Sequence, residues 1–329
     1  MSGITDAGEF ETIRRLFAPL AHPEWARGLM DDVAVLPSRP GHDLVLTKDA
    51  IVEGVHFLPD DPLDTVASKL LRVNLSDLAA KGAVPFGYLL ACHWSPRCGW
   101  AEREAFVQGL GADQAEFGIQ LLGGDTVSSP GPASFSATML GWAPRGRAVN
   151  RSGAAVDDLV LVTGVIGDGW LGLQAALGRL SLGEDRHTSL IEHYRRPMPR
   201  SAFADAILHS ASASADVSDG LLADLGHICA ASGVGMTLDL ERLPLSAAGH
   251  AWQESRADAE ACLLQLATGG DDYEIAFTAP PAHEKRLRRE AERLHLRLTA
   301  LGRVVAGQGV TVRHDGRVLA VERAGWTHR

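Results

Sequence analysis

Carboxylates recur in this chain at positions suited to holding cations. Asp31-Asp32 precede an apolar segment, and Asp49 follows the strand-like Leu44–Thr47. Asp77 lies within a helical pattern. Asp125 follows Gly123-Gly124 after a buried run, Asp216 and Asp219 flank Ser218 at a strand-to-helix turn, and Asp271-Asp272 follow Gly269-Gly270 before another strand. Singly, an aspartate at a loop or helix start reads as a cap or Asx-turn residue. Together, carboxylates at strand ends of an α/β protein fall where ligand sites form. Several converging there repel one another unless cations intervene. Oxygen donors select Mg²⁺, Mn²⁺ or Ca²⁺ over zinc, and Mg²⁺ shared between carboxylates and substrate phosphates suits an acidic protein.

The elements that must position these groups alternate along the chain. Strand patterns cover Val33–Leu36, Leu44–Thr47, Phe86–Cys92, Ile119–Leu122, Ser134–Trp142, Leu159–Thr163, Ala215–Val217, Met236–Leu240 and Tyr273–Thr278. Helical patterns cover Ala101–Phe117, Trp170–Leu180, Ala202–Ser210 and Leu221–Ala231. Another opens at Asp61-Pro62, a cap followed by proline in the first turn, and runs to Ala80 before Gly82. This is α/β composition with the sheet direction left open. A boundary falls in the Gly- and Arg-rich stretch around residues 143–155. A Ser-Asp pair and then Gly-Gly-Asp occur in the same order on each side of it, which reads either as two related halves or as chance matching of short strings.

Length and charge narrow the function. The 329 residues carry 31 Lys and Arg against 41 Asp and Glu, a formal net charge of −10. No basic stripe is present for nucleic acid or for anionic lipid. The phosphate loop, the dinucleotide fingerprint, the nucleophile elbow and the protein-kinase motifs are all missing. Lysines number four (Lys48, Lys69, Lys81 and Lys285), too few for a lysine-built phosphate cradle. The four cysteines are scattered without a C-x-x-C pair and fit a reducing compartment. The acidic start of the chain lacks the apolar core of a signal peptide, and the longest apolar run is about half a membrane span. A cytoplasmic protein without membrane or nucleic-acid partners is expected.

The ordered motifs resemble the thiamine-monophosphate kinases, within the superfamily of aminoimidazole-ribonucleotide-synthetase-like ATP enzymes. They run Gly8-Glu9-Phe10, Asp31-Asp32-Val33-Ala34-Val35, Glu53-Gly54-Val55-His56-Phe57, Val73-Asn74-Leu75-Ser76-Asp77-Leu78-Ala79-Ala80, Gly123-Gly124-Asp125-Thr126 and Arg151-Ser152-Gly153. After these come Val162-Thr163-Gly164 with Gly167-Asp168, Asp216-Val217-Ser218-Asp219-Gly220-Leu221, Gly269-Gly270-Asp271-Asp272-Tyr273-Glu274 and Gly325-Trp326.

The resemblance implies an α/β (α+β) fold of two domains. Residues 1–148 would bind ATP and Mg²⁺ and pair in a homodimer, and residues 149–329 would close the active site. It implies ATP-dependent phosphorylation of thiamine monophosphate to thiamine diphosphate. Several Mg²⁺ ions would be held at the positions matching Asp32, Thr47, Asp49, Asp77, Asp125, Asp216 and Asp219, with a role for K⁺ left open. ATP would be contacted at Gly124, Asp125, Arg151 and Ser218, and the thiamine phosphate at His56, Asp271 and Trp326.

Three positions depart from the family pattern. Met30 stands where glycine usually precedes the paired aspartates, Asp271 replaces the usual Glu, and Lys48 replaces a Thr at a position that is a metal ligand in relatives. Lys48 either points away from Thr47 and Asp49 by strand alternation or lends its ammonium in place of part of a cation's charge.

The chemistry needs no general base, because a phosphate monoester is mostly dianionic at neutral pH. The obstacle is charge repulsion between donor and acceptor, so direct in-line transfer rests on positioning and neutralisation. The alternative is another superfamily enzyme of the aminoimidazole-ribonucleotide-synthetase type, or a catalytically inactive nucleotide-binding homologue.

Overall fold

The computed structural model describes residues 8–180 and 182–326. The chain divides into two units, residues up to 78 with 84–146, and residues 79–83 with 147 onward.

The first unit contains α1 (Glu9–Thr12), β1 (His42–Val52), α2 (Leu63–Ala80), β2 (Val84–Trp94), α3 (Trp100–Phe117), β3 (Gln120–Ser128) and β4 (Ser134–Pro144). Its sheet has the order β1-β4-β2-β3, with β2 and β3 parallel and the other pairs antiparallel. Leu70, Leu71, Leu75 and Leu78 bury one side of α2, and Trp94, Phe106 and Phe135 pack edge-on and stacked in the core. α3 approaches α2 so closely that a Cβ on Gly109 would lie 2.2 Å from the Asp64 carbonyl oxygen. Arg72 bridges the two helices through a buried pair with Asp113 at 2.8 Å. α3 stops at Gly118, whose left-handed backbone (φ 66°) favours glycine.

Strand register decides which side chains share a face. Lys48 pairs with Thr138, Thr138 with Leu89, and Leu89 with Gly123, so Lys48 and Asp125 lie on the same outer face. Thr47 and Asp49 alternate to the opposite face, toward α2.

The second unit contains β5 (Leu159–Thr163), α4 (Asp168–Ala176), α5 (Glu184–Arg195), α6 (Ala204–Ser210), β6 (Ala213–Asp216), α7 (Leu221–Ser232) and β7 (Gly235–Asp239). It continues with α8 (Ala247–Glu254), α9 (Ala259–Thr268), β8 (Ile275–Ala279), α10 (Glu284–Arg293), β9 (Leu298–Val305), β10 (Gly309–His314) and β11 (Arg317–Val318). Its sheet order is β11-β10-β7-β9-β5-β8-β6, with only β7 and β10 parallel among these neighbours. Every residue of β5 and β8 is buried. Val160 and Val162 enter one core with Leu222, Leu225 and Leu266, while Leu159 and Leu161 enter a second core with Ile207, Phe277 and Leu287. The continuous apolar run of β5 is that of a strand covered on both faces.

The structure departs from the sequence expectation in several places. Val33–Leu36 forms no strand: Val35 N–H reaches the Trp25 carbonyl at 3.0 Å, and Val33 and Val35 are exposed. Gly123-Gly124-Asp125 lies inside β3, whereas Gly269-Gly270-Asp271 is the loop before β8. Asn74–Asp77 is mid-helix in α2, whereas Ser218-Asp219 is a loop. The matching strings therefore occupy unlike elements, and the reading as two related halves is not upheld. Among the described residues, no helix is long and apolar enough to cross a membrane.

Candidate functional site

In the first unit the acidic residues fall into two groups. The first sits between β1 and α2, where Thr47 Oγ1 donates to Asp77 Oδ2 in a short hydrogen bond. Asp49, two residues along the same strand face, has its carboxyl pushed up to about 7. Burial is the main cause and the Asp77 charge the second, with Lys48 pulling the other way. Two carboxylates held close against their own repulsion, beside a hydroxyl, make an all-oxygen donor set that suits a divalent cation. Lys48 does not belong to this group. Its Nζ donates to Ser136 Oγ at 3.2 Å on the outer face, which is the first of the two arrangements left open by the sequence.

The second group borders a groove of about 690 Å³ along β3, lined by Asp31, Asp32, Met30, Gly123, Gly124 and Asp125 among others. A Cβ on Gly124 would lie 1.8 Å from the Leu90 carbonyl oxygen, so the close spacing of β2 and β3 admits only glycine there. Asp31 is paired with Arg27, and its carboxyl is held below the usual range by that guanidinium hydrogen bond. Asp125 Oδ1 accepts the Thr126 N–H at 2.9 Å. By register, Asp125 lies on the opposite sheet face from Thr47 and Asp49, so these expected metal positions form two groups in the first unit and not one. His56 stands apart in the turn after β1. Its Nδ1 accepts the Val52 N–H at 3.2 Å, which places the ring proton on Nε2.

In the second unit the expected residues converge on the loop after β6. Asp216 ends that strand and is buried. The Ser218 carbonyl accepts the Asp271 N–H, the Asp219 carbonyl accepts the Trp326 N–H, and the Val217 carbonyl accepts the Tyr273 N–H, each at 2.8 Å. Glycines make this closeness feasible. A Cβ on Gly270 would sit 2.6 Å from the Ser218 oxygen, and one on Gly325 would sit 2.4 Å from the Asp219 oxygen. Asp271 adopts a left-handed backbone (φ 66°), a region that Asp tolerates better than most residues. Trp326 is 54% exposed, with the Arg323 guanidinium 5.7 Å from its ring centre. Arg151 is exposed, and its charge is felt at Asp224.

The sequence reading missed Asp224 and His227. Asp224, buried on α7, accepts the Ser218 and Asp219 N–H groups at 3.1 and 3.2 Å. Burial, and then the Asp219 charge, push its carboxyl up to about 7, opposed by those N–H groups and by Arg151. Asp219, Asp224 and His227 bring ligand atoms within 4.8 Å of one another, and they are the one such trio among the described residues. The three-residue step from 224 to 227 on a helix was the available signal.

Comparison with known proteins places the chain in a family. The model of AIR synthase related protein, N-terminal domain, matches residues 30–143, and that of the C-terminal domain matches residues 155–315. A thiamine-monophosphate kinase of Caulobacter vibrioides is 49% identical over 321 residues, spanning 97% of this chain and 90% of the relative. The crystal structure of thiamine-monophosphate kinase from Stenotrophomonas maltophilia superposes with a TM-score of 0.79 at 38% identity, over 88% of this chain and 91% of that one. A structure of AaThiL complexed with AMPPCP and TMP superposes with a TM-score of 0.78 at 31% identity, over 99% and 100%. The chain thus belongs to the thiamine-monophosphate kinase family, phosphotransferases built from the two AIR synthase related domains.

Proposed function

We propose that the protein transfers the γ-phosphoryl group of ATP directly onto the phosphate of thiamine monophosphate, in line and without a phosphoenzyme, giving thiamine diphosphate. The reading is carried by the loop after β6, where three 2.8 Å main-chain hydrogen bonds tie Val217, Ser218 and Asp219 to Tyr273, Asp271 and Trp326. The resemblance assigns nucleotide and metal contacts to Ser218 and Asp219, and thiamine-phosphate contacts to Asp271 and Trp326. Direct transfer requires donor and acceptor sites to be neighbours in this way. The relative complexed with both AMPPCP and TMP supports the same pair of ligands.

The residues suited to hold Mg²⁺ are Thr47, Asp49 and Asp77, then Asp32 and Asp125, then Asp216 and Asp219. Bound there, such ions would neutralise phosphate charge. Arg151 offers a planar fork of donors to nucleotide phosphates. Gly124, kept bare by Leu90, lets main chain approach a phosphate closely. His56 offers an imidazole toward the acceptor phosphate. Trp326 offers an exposed indole face to the cationic thiazolium.

A homodimer in the cytoplasm completes the proposal. The outer face of the first unit's sheet leaves Leu44, Leu46, Leu89 and Val127 exposed, an apolar strip of the kind that a second copy covers. Sedimentation of the wild type and of Leu46→Lys tests this, with a monomeric wild type refuting it. The reaction is tested by ADP release with and without thiamine monophosphate and by identifying the phosphorylated product. Release independent of thiamine monophosphate, or a trapped phosphoaspartate or phosphohistidine, would refute it.

A further inference from the structure

Asp272 lies beside the acceptor loop, and the proposed roles leave it without a task. It is 1% exposed. Its Oδ1 accepts the Gly167 N–H at 2.9 Å and the Gly169 N–H at 3.0 Å, and its Oδ2 also lies 2.9 Å from the Gly167 nitrogen. Gly169 belongs to the first turn of α4, and a Cβ there would fall 2.1 Å from the Asp271 carbonyl oxygen. The helix start therefore touches the main chain of the acceptor residue on one side. On the other side, the Asp271 N–H is bonded to Ser218.

The residues flanking Asp272 are both left-handed, Asp271 at φ 66° and Tyr273 at φ 51°. Such conformations are costly for non-glycine residues and persist only where the surroundings over-determine them. Here the surroundings are a buried polar frame. Glu274, fully buried, accepts from Thr163 Oγ1 at 2.7 Å and forms a two-pronged pair with Arg200, with Nε at 2.6 Å. Glu274 fixes the start of β8, and Asp272 fixes the turn above it.

We propose that Asp272 is a positioning residue for the phosphate acceptor: by clamping the Gly167 and Gly169 amides it holds Asp271 in the left-handed conformation that presents its carboxylate to thiamine monophosphate. The inference rests on the proposed reaction and adds a residue to its acceptor side. Asp224, which clamps the Ser218 and Asp219 amides in the same manner, serves the nucleotide side. The two clamps divide the junction between the two substrates.

The test is steady-state kinetics on the full chain, varying each substrate separately. Asp272→Ala removes both acceptors and is expected to raise KM for thiamine monophosphate about tenfold or more, with KM for ATP changed less than about twofold. Asp272→Asn keeps one carbonyl oxygen for the two amides and is expected to restore most of the loss, leaving a rise of about threefold. Asp224→Ala is expected to show the reverse selectivity. A folded Asp272→Ala enzyme with unchanged KM for thiamine monophosphate, or with both KM values raised alike, overturns the inference. Should Asp272→Ala not fold, Asp272→Asn decides: a rise confined to thiamine monophosphate supports positioning, and no rise overturns it. Wild-type turnover that ignores thiamine monophosphate would remove the proposed reaction itself, an outcome read before any variant is compared.

Discussion

The two units present their acidic residues by different means. In the first, Thr47 and Asp49 ride a strand, Asp77 a helix and Asp125 another strand, so the direction of each side chain follows from pleat and helical period. In the second, Ser218, Asp219, Asp271 and Trp326 sit on irregular segments tied by main-chain hydrogen bonds and backed by the buried carboxylates of Asp224 and Asp272. Regular elements give direction at no extra cost, whereas loops need every amide accounted for before a side chain is aimed. Substitution in the first unit should therefore remove one function, and substitution in the second should move neighbours.

The largest expected effect belongs to Asp77→Ala. Turnover should fall at least about 100-fold, while the melting temperature at pH 8 holds, because Asp49 loses the charge that opposes it. A cooperative loss of fold would break the contrast. Trp326→Ala comes next, raising KM for thiamine monophosphate about 2- to 30-fold, the range of a cation–π contact. An unchanged KM would remove the indole from the acceptor site.

A third effect concerns pH. Asp49 and Asp224 keep their protons to about pH 7 in the folded chain but lose them near pH 4 when unfolded. The folded state then binds more protons between those values, so stability falls as pH rises through that window. Without divalent cations, thermal melts should read about 3–6 °C lower at pH 8 than at pH 5, and added Mg²⁺ should recover much of the loss. A flat profile would count against strain in both groups. The smallest effect is expected for Lys48→Thr, within about twofold in kcat/KM, since the ammonium faces away from Thr47 and Asp49. A large drop would place Lys48 in the machinery after all.

Much of the scaffold was legible in the sequence. Leu159–Thr163 reads as a buried strand because both faces must be apolar, and β5 has those bounds. The helix expected to open at Asp61-Pro62 spans Leu63–Ala80 and ends where its apolar period ends, while the Asp61 carboxylate accepts the upstream Leu58 N–H at 2.8 Å. Val33–Leu36 carried the same local preference for strand, but no neighbouring ladder takes it up. Gly-Gly-Asp could not be assigned to an element from its letters: inside β3 Gly124 relieves contact with Leu90, and before β8 Gly270 relieves contact with Ser218. The clamp at Asp272 was invisible for a related reason. The amides that bond Asp272 lie 103 and 105 residues away in the chain, and nothing in either stretch announces the pairing.

The joint between Ser218 and Asp271 is made entirely of main-chain atoms, and that has a corollary. A carboxylate at 271 can lengthen or shorten by a single methylene while the main-chain hydrogen bond that carries it stays as it is. Reach toward the acceptor is thus set at position 271 itself, within the limits of side chains that accept a left-handed backbone.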